Sequence, residues 1–552
     1  MSRNPAPFGS RATPHWRKPT PITSAGIIIA GGLFALGFAA LIALMMAAGS
    51  GSTAAGSGAD AYLTRVTIFT FMQAFLSAFL ALIIALPVAR SCWRRTSEWN
   101  AHLLILFSFL PIVLPTTVAA TGLIGVWGQS GLFSGFLGAM GLPKLPPIYG
   151  LGGVLLAHVF FNAPLMLRVL SGVMAGIPVS HWRLSAEWGL DGWQRFRLIE
   201  WPALRRVIPG LLALIFLLCF TSFSLIMILG GGPSVTTLEV NIYTALRFEF
   251  DLEKAGKLAL LQLAICASVV VCLAKLGGPS WAAAPSTKRP HIRQKGEAER
   301  LTRFFDALIL GLFIILVVLP VIAVVWRGIN GEMAKMLSWP HFYRAAMNSL
   351  LIALASGTLA TGLALVLAAT RTARANAGLS VWGLDVAISL YLAVSAIVLG
   401  TGFFILLRGF ADMFFLAPAL VLLANMLVAL PFAYRVIEGR MAALAATHDK
   451  LCAGLGVRGW RRFRWITLPA LAPEIGYAAG LSAALSLGDM TVIALFGSQQ
   501  FQTLPWLLYQ TMSRYRSGEA ASLALLLLCL TLLIFALHVG AARWLARRPN
   551  HL

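Results

Sequence analysis

Asp489 is the residue whose type and setting most invite chemistry. It is a carboxylate inside an apolar run, SLGDMTVIAL (486–495). Apolar surroundings do not solvate a charge, so such an acid either bonds a neighbouring polar group to pack or gate helices, or meets a cationic solute. The corresponding stretch of the first half, Ser222 to Ser224, carries no acid, so either role is one-sided. Glu239, Tyr243 and Tyr509 are further candidates along a solute path. Glu239 groups in sequence with Glu249, Asp251 and Glu253 as an acidic outer cluster, read either as a solvated loop or as a docking surface. His158 and Asn425 take equal places in the two halves, where an interhelical hydrogen bond is a simpler account than proton relay.

Covalent and metal chemistry have little to work with. There is no HExxH, no nucleophile–base arrangement and no CxxC, and the six cysteines are scattered. A phosphate-cradling GxxxxGK[ST] loop is missing too, since Gly256-Lys257 is followed by Leu258. No catalytic residue, metal site or bound cofactor is expected of this chain.

The other group with a definite spacing is aromatic. Trp193 and Phe196 lie three residues apart, and Trp460 and Phe463 repeat them. On a helix that spacing puts both rings on one face. Lipid contact explains exposed aromatics but needs no fixed spacing. A knob that docks into a partner's groove does.

What positions these residues is a large apolar framework. Of 552 residues 59% are apolar and 11% charged, against about half and a quarter in a soluble domain. Apolar runs occur at 25–48, 66–89, 102–126, 151–171, 207–229 and 258–274, then at 304–325, 346–369, 382–407, 415–436, 471–496 and 520–542. The pattern predicts an all-α polytopic membrane protein with 12 transmembrane helices, six in each half. The first run is too long for a signal peptide and reads as a retained anchor. With both termini in the cytoplasm and alternating spans, 32 of the 43 basic residues fall on the inner side. Positive-inside bias thus accounts for the net charge of +23 without nucleic acid.

The chain divides into a cytoplasmic tail (1–24), a first repeat (25–274), a Gly-, Pro- and charge-rich cytoplasmic linker (275–303), a second repeat (304–542) and a C-terminal tail (543–552). Repetition is direct. Pro164 and Pro431, Arg168 and Arg435, Gly189 and Gly456, Gly192-Trp193 and Gly459-Trp460, Phe196-Arg197 and Phe463-Arg464, and Pro202 and Pro469 are all offset by 267 residues. Tyr243 and Tyr509 follow at 266. An even number of spans per half makes the repeats parallel, facing each other across a central interface.

The best-matched stretches are the loops RLSAEWGLDGWQRFRLIEWPAL (183–204) and KLCAGLGVRGWRRFRWITLPAL (450–471). Each predicts a short helix, a glycine turn and a second helix up to a proline that starts the next span. This spacing resembles the EAA loop of ATP-binding-cassette importer permeases, in which Glu-Ala-Ala is followed after three residues by Gly and later by Leu-Pro. The Gly and Pro positions match twice, whereas the opening triplets are Arg183-Leu184-Ser185 and Lys450-Leu451-Cys452. The resemblance implies a type I importer-permease fold and partners. These are two copies of an ATPase that holds ATP and Mg²⁺ and receives Gly189, Gly192, Trp193, Phe196, Pro202, Gly456, Gly459, Trp460, Phe463 and Pro469, and a periplasmic substrate-binding protein.

Fused six-plus-six chains point to the thiamine and ferric-iron branches of that family. LLAHVFFNAP (155–164), GGGPSVTTLEVNIYTAL (230–246) and SLGDMTVIALFGSQQFQTLPWLLYQ (486–510) resemble the thiamine branch. That implies import of thiamine or its phosphates through the bacterial inner membrane. The alternatives are a ferric-iron permease, a secondary transporter that needs no ATPase, and a membrane enzyme.

Overall fold

A computed structural model describes residues 21–49, 57–95, 108, 110–143, 145–232, 235–276, 300–409, 413–457 and 459–547. Most of the 1–24 tail, most of the 275–303 linker and the last residues of the 543–552 tail lie outside the described residues. Among the described residues the backbone is helical and contains no strand. Lipid offers no hydrogen-bond partners, and only a helix satisfies its own peptide groups within one segment.

Nine described helices are long and apolar enough to cross a bilayer, and eleven cross if each of two bent pairs counts once. The nine match nine of the predicted runs. The expectation of uninterrupted spans is corrected in the other three and in 471–496, whose helix breaks after Gly488. Run 382–407 is two helices, Trp382–Ala393 and Ala396–Leu407, bent by 96°. Val394 and Ser395 are extended, and Ser395 Oγ accepts from the Val398 amide at 3.4 Å to start the second helix. Run 207–229 breaks into Ile208–Phe220 and Ser224–Leu229, and its first part is bent by 60° from the Gly192–Leu204 segment before it. Of run 102–126, residues 102–107 and 109 lie outside the described residues, and the described helix is Thr116–Trp127. Pro115 precedes it with an extended backbone, φ −57° and ψ 138°. Proline has no amide to continue a helix and pushes the residue before it out of the helical region. Hydropathy reads composition along the chain, and an apolar run that turns keeps the same composition.

The break at Pro115 and that at Ser395 are 280 residues apart, not 267. The difference is an insertion. The first half places the helix Leu132–Ala139 between Trp127 and Leu151, where the second half has only a short connection after Leu407.

Each half's first helix packs largely on the other half. Pro21–Gly49 lies against Pro340–Asn376, Trp382–Ala393 and Ala396–Leu407, while Arg300–Ile329 lies against Ser57–Arg94 and Thr116–Trp127. Glycines at equal places permit both approaches. A Cβ on Gly122 would sit 2.5 Å from the Pro320 carbonyl oxygen, and one on Gly402 would sit 2.8 Å from Ala40 Cβ. Tyr391 donates to the Leu33 carbonyl at 2.6 Å across the same contact. Asp306, buried, accepts from Ser91 Oγ at 2.9 Å, Arg94 at 2.5 Å and Arg95 at 3.0 Å, joining the halves on the other side. Overpacking a close helix contact costs about 1–3 kcal/mol. Gly122→Leu and Gly402→Leu are therefore expected to lower the thermal midpoint of the detergent-purified chain, measured by scanning fluorimetry. Leucine at Gly31 or Gly32, whose Cβ positions face open space, is expected to leave it unchanged.

Candidate functional site: paired loops and a central cavity

The two loops share one plan, but the first opens with a separate helix whereas the second continues the long helix Met413–Gly454, which corrects the expectation of a short helix there. In the first, Val179–Glu187 ends before Gly189, whose φ of +63° only glycine adopts cheaply. Asp191 then caps the next helix. Its carboxylate accepts from the Trp193 amide at 2.9 Å and the Gln194 amide at 2.8 Å, while Gln194 Oε1 accepts from the Asp191 amide at 3.0 Å. Gly192–Arg195 runs into a single π-turn, Phe196–Glu200. In the second loop Gly456 has φ +70°, Gly459–Arg462 is helical, and the π-turn is Phe463–Thr467, again 267 residues on. Pro202 and Pro469 sit in the first turn of the helical segment that follows each π-turn.

The aromatic pairs take the same pose. Trp193 and Phe196 have centroids 5.6 Å apart at 34°, and Trp460 and Phe463 are 5.4 Å apart at 28°. Trp193 is 67% exposed and Trp460 62%. Two indole knobs of similar pose therefore project from the surface.

Sequence reasoning missed what anchors these loops. Arg90 Nε donates to Glu200 Oε2 at 2.6 Å, its Nη2 donates to the Gly192 carbonyl at 3.1 Å, and its guanidinium lies 4.3 Å from the Phe196 centroid. The second loop is held by Asp449, which accepts from Arg462 and, at 2.8 Å, from Asn376 Nδ2. The only hint was Glu200 itself, a lone acid within LIEWPAL. The side chain of Lys450, in the second opening triplet, lies outside the described residues.

Between the halves lies a cavity of about 980 Å³. Its wall on the Leu151–Ala175 helix runs from His158 to Val173, and on the Met413–Gly454 helix from Asn425 to Ala443. It therefore occupies the part of the molecule nearer the paired loops. His158 and Asn425 mark its far end. The His158 ring bonds Ser77 Oγ through Nδ1 at 2.8 Å, and Asn425 Nδ2 donates to Ser486 Oγ at 3.0 Å. Both are helix-to-helix bonds.

Asp489 lines this cavity. It stands where the Leu468–Gly488 helix breaks, and its carboxylate accepts from the Thr491 amide at 3.1 Å and the Val492 amide at 3.3 Å. It thus caps the short helix Thr491–Phe496, where the positive end of the helix favours an anion. Gly488 lets the Pro115 break approach, since a Cβ there would lie 2.9 Å from Pro115 Cα. The first half breaks at the matching place, with Ser222 where Asp489 stands 267 residues later.

Glu239, Tyr243 and Tyr509 do not line the cavity. The expectation of an acidic outer cluster is corrected for Glu239, which is fully buried on the helix Leu238–Thr244. It accepts from Gln262 Nε2, which also donates to Ser395 Oγ at 3.2 Å, next to the sharp bend. The chain turns back into the bundle after Thr237, so four residues grouped in sequence are separated in space. Glu249 and Glu253 do pair at the surface, with Lys254 and Lys257. Tyr243 packs edge-on to Phe223 at the first-half break, 5.3 Å between centroids, and Tyr509 stacks on Trp506 at 5.3 Å. Tyr243 thus backs the first-half break that lines the cavity. Among the described residues no group of three His, Cys, Asp or Glu is placed to hold a metal ion.

No family model matches the chain. It is 40% identical to the thiamine transport system permease protein ThiP of Brucella abortus (strain 2308) over 523 residues, 93% of this chain and 96% of the relative. It is 38% identical to the ThiP of Salmonella typhimurium over 511 residues, 92% and 94% of the two chains. Against that of Escherichia coli K12 it is 38% identical over 478 residues, 86% and 88%.

Proposed function

Because the chain belongs to the family of ThiP thiamine transport permeases, we propose that it is the membrane subunit of an ATP-driven importer that carries thiamine through the inner membrane. It is a transport subunit and not an enzyme. The observation that carries the reading is identity of 35–40% to such permeases along nearly the whole chain, both halves and both loops included. Neither the ferric-iron reading nor the secondary transporter is favoured by these relatives.

The finer architecture is part of the proposal. Twelve helices form two parallel six-helix repeats of the type I permease fold, with the twelfth span in 102–126. The positive-inside bias supports both termini, and the paired loops, on the cytoplasmic side. Two loops of equal shape suit two copies of one ATPase, which holds ATP and Mg²⁺. A periplasmic binding protein delivers the solute to the opposite face. The indole knobs supply desolvated anchors of the kind that dominate docking energies. The cavity between the halves, with Asp489 at its far end, gives a cationic solute a place to pause.

Proteoliposomes containing the chain, its ATPase and its binding protein test this. Labelled thiamine is expected to accumulate only with ATP, and excess unlabelled thiamine to compete while chelated ferric iron does not. Accumulation without the ATPase, or competition by iron alone, would overturn the reading.

A further inference from the structure

The geometry points to Arg247 as a positioning residue for transport: from the first half it clamps the end of the short second-half helix whose start Asp489 caps. The transport role rests on the importer reading, but the clamp itself stands on the contacts. Arg247 lies half-buried in a π-turn, Ala245–Glu249, that ends in the left-handed backbone of Phe250, φ 56°. Its Nη2 donates to the Gly497 carbonyl at 3.0 Å, and its Nη1 lies 3.5 Å from that of Leu495. These carbonyls belong to the last turn of Thr491–Phe496 and to the residue after it.

A helix of six residues is far below the length that holds itself together. Its last carbonyls have no partner within it, and its negative end favours a cation. Thr491–Phe496 is buried throughout, so bonds to water cannot replace those to protein. Asp489 satisfies one end from its own half, and Arg247 the other end from the opposite half. Two opposite charges thus stand at the ends of a helix about 9 Å long.

The seat of this helix is tied to the same first-half segment. Thr491–Phe496 packs on Ala396–Leu407, where a Cβ on Gly400 would lie 2.7 Å from Leu495 Cδ1. Ser395, which starts that helix, accepts from Gln262 Nε2, the donor to buried Glu239. Residues between Glu239 and Gln262 thus hold two helices of the other half.

A tie that served folding alone has no reason to appear on one side of a repeat. At the 266-residue offset Glu239 and Arg247 become Pro505 and Ser513. Ser513 Oγ donates within its own helix, to the Tyr509 carbonyl. The break that carries the acid is therefore clamped from across, and Ser513 does not repeat the clamp for the break at Ser222. When the halves part at this end, Arg247 leaves the Gly497 carbonyl, and the helix that seats Asp489 loses its partner. The place of the cavity's carboxylate is thereby tied to closure of the halves.

Hydrogen exchange read by mass spectrometry on the purified full chain tests the clamp. R247Q is expected to speed amide exchange across 491–497 at least about tenfold, because a buried carbonyl loses a charged donor. R247K, which keeps the cation, is expected to keep most of the protection, and both variants are expected to leave 224–229 unchanged. Unaltered exchange across 491–497 in R247Q, or equal acceleration through the whole chain, would overturn the clamp.

In the complete transporter, R247Q is expected to cut thiamine uptake at least about fivefold, with R247K within about twofold of the unaltered rate. Because Arg247 acts through Asp489, D489N/R247Q is expected to stay within about twofold of D489N. A multiplicative fall in the double variant would overturn that link. If the unaltered transporter moved no thiamine, the importer reading would fail, and hydrogen exchange would still decide the clamp.

Discussion

Alanine at both Trp193 and Trp460 is expected to abolish ATP-driven uptake while leaving a folded, monodisperse membrane protein. Both indoles are mostly exposed, so their loss removes little internal packing. Their backbone is held independently of the rings, by the Asp191 cap and the Arg90–Glu200 pair in the first loop and by Asp449 in the second. Buried tryptophan anchors at interfaces contribute about 2–4 kcal/mol each, or about 30- to 1000-fold in affinity. Two lost together should leave no stable complex at micromolar ATPase. Co-purification of the ATPase, and stimulation of its hydrolysis, are the measurements. Single variants should each retain part of the binding, because the loops are separate and alike. Full co-purification of the double variant would remove the knobs from docking and leave them as lipid-facing aromatics.

Asp489→Asn is expected to lower solute uptake by about tenfold or more, with ATPase assembly unchanged. Asparagine keeps one oxygen for the Thr491 amide and most of the shape. It removes the negative charge that faces the cavity. Asp489→Ala removes the cap as well and should cost about 1 kcal/mol of stability besides. Comparing the two separates charge from capping. Normal uptake by the asparagine variant would make Asp489 a helix-breaking cap and nothing more. A fall in uptake seen only with alanine would carry the same meaning.

Legibility followed the range of the interaction. The turns of the loops were readable because the residues that shape them act locally, whereas their anchors are distant in sequence. The glycines need a left-handed backbone, the prolines sit where no amide is lost, and the aromatics share a face at three-residue spacing. Duplication at one offset then distinguished a shape under constraint from a chance run. Asp489 was readable as an anomaly of composition. Its counterpart Ser222 was readable as the lack of one.

Long-range pairings were not readable. Glu239 lies in sequence among exposed acids, and only the return of the chain into the bundle brings it to Gln262, beside Ser395. Arg90 and Glu200 are 110 residues apart, and no local pattern joins them. The 96° bend in 382–407 was hidden because an apolar run keeps its hydropathy however it turns.

By itself, the sequence determined that this is a helical membrane protein with two related halves and a pair of equal loops. Period, composition and turn chemistry act within a few residues and need no partner. Tertiary structure alone decided that the halves exchange their first helices, that the break after Gly488 meets the break at Pro115, and that arginines from opposite halves face one cavity. Those outcomes depend on which surfaces pack together. In a chain this rich in apolar residues many surfaces could pack, and close glycine contacts and a few buried polar bonds select among them.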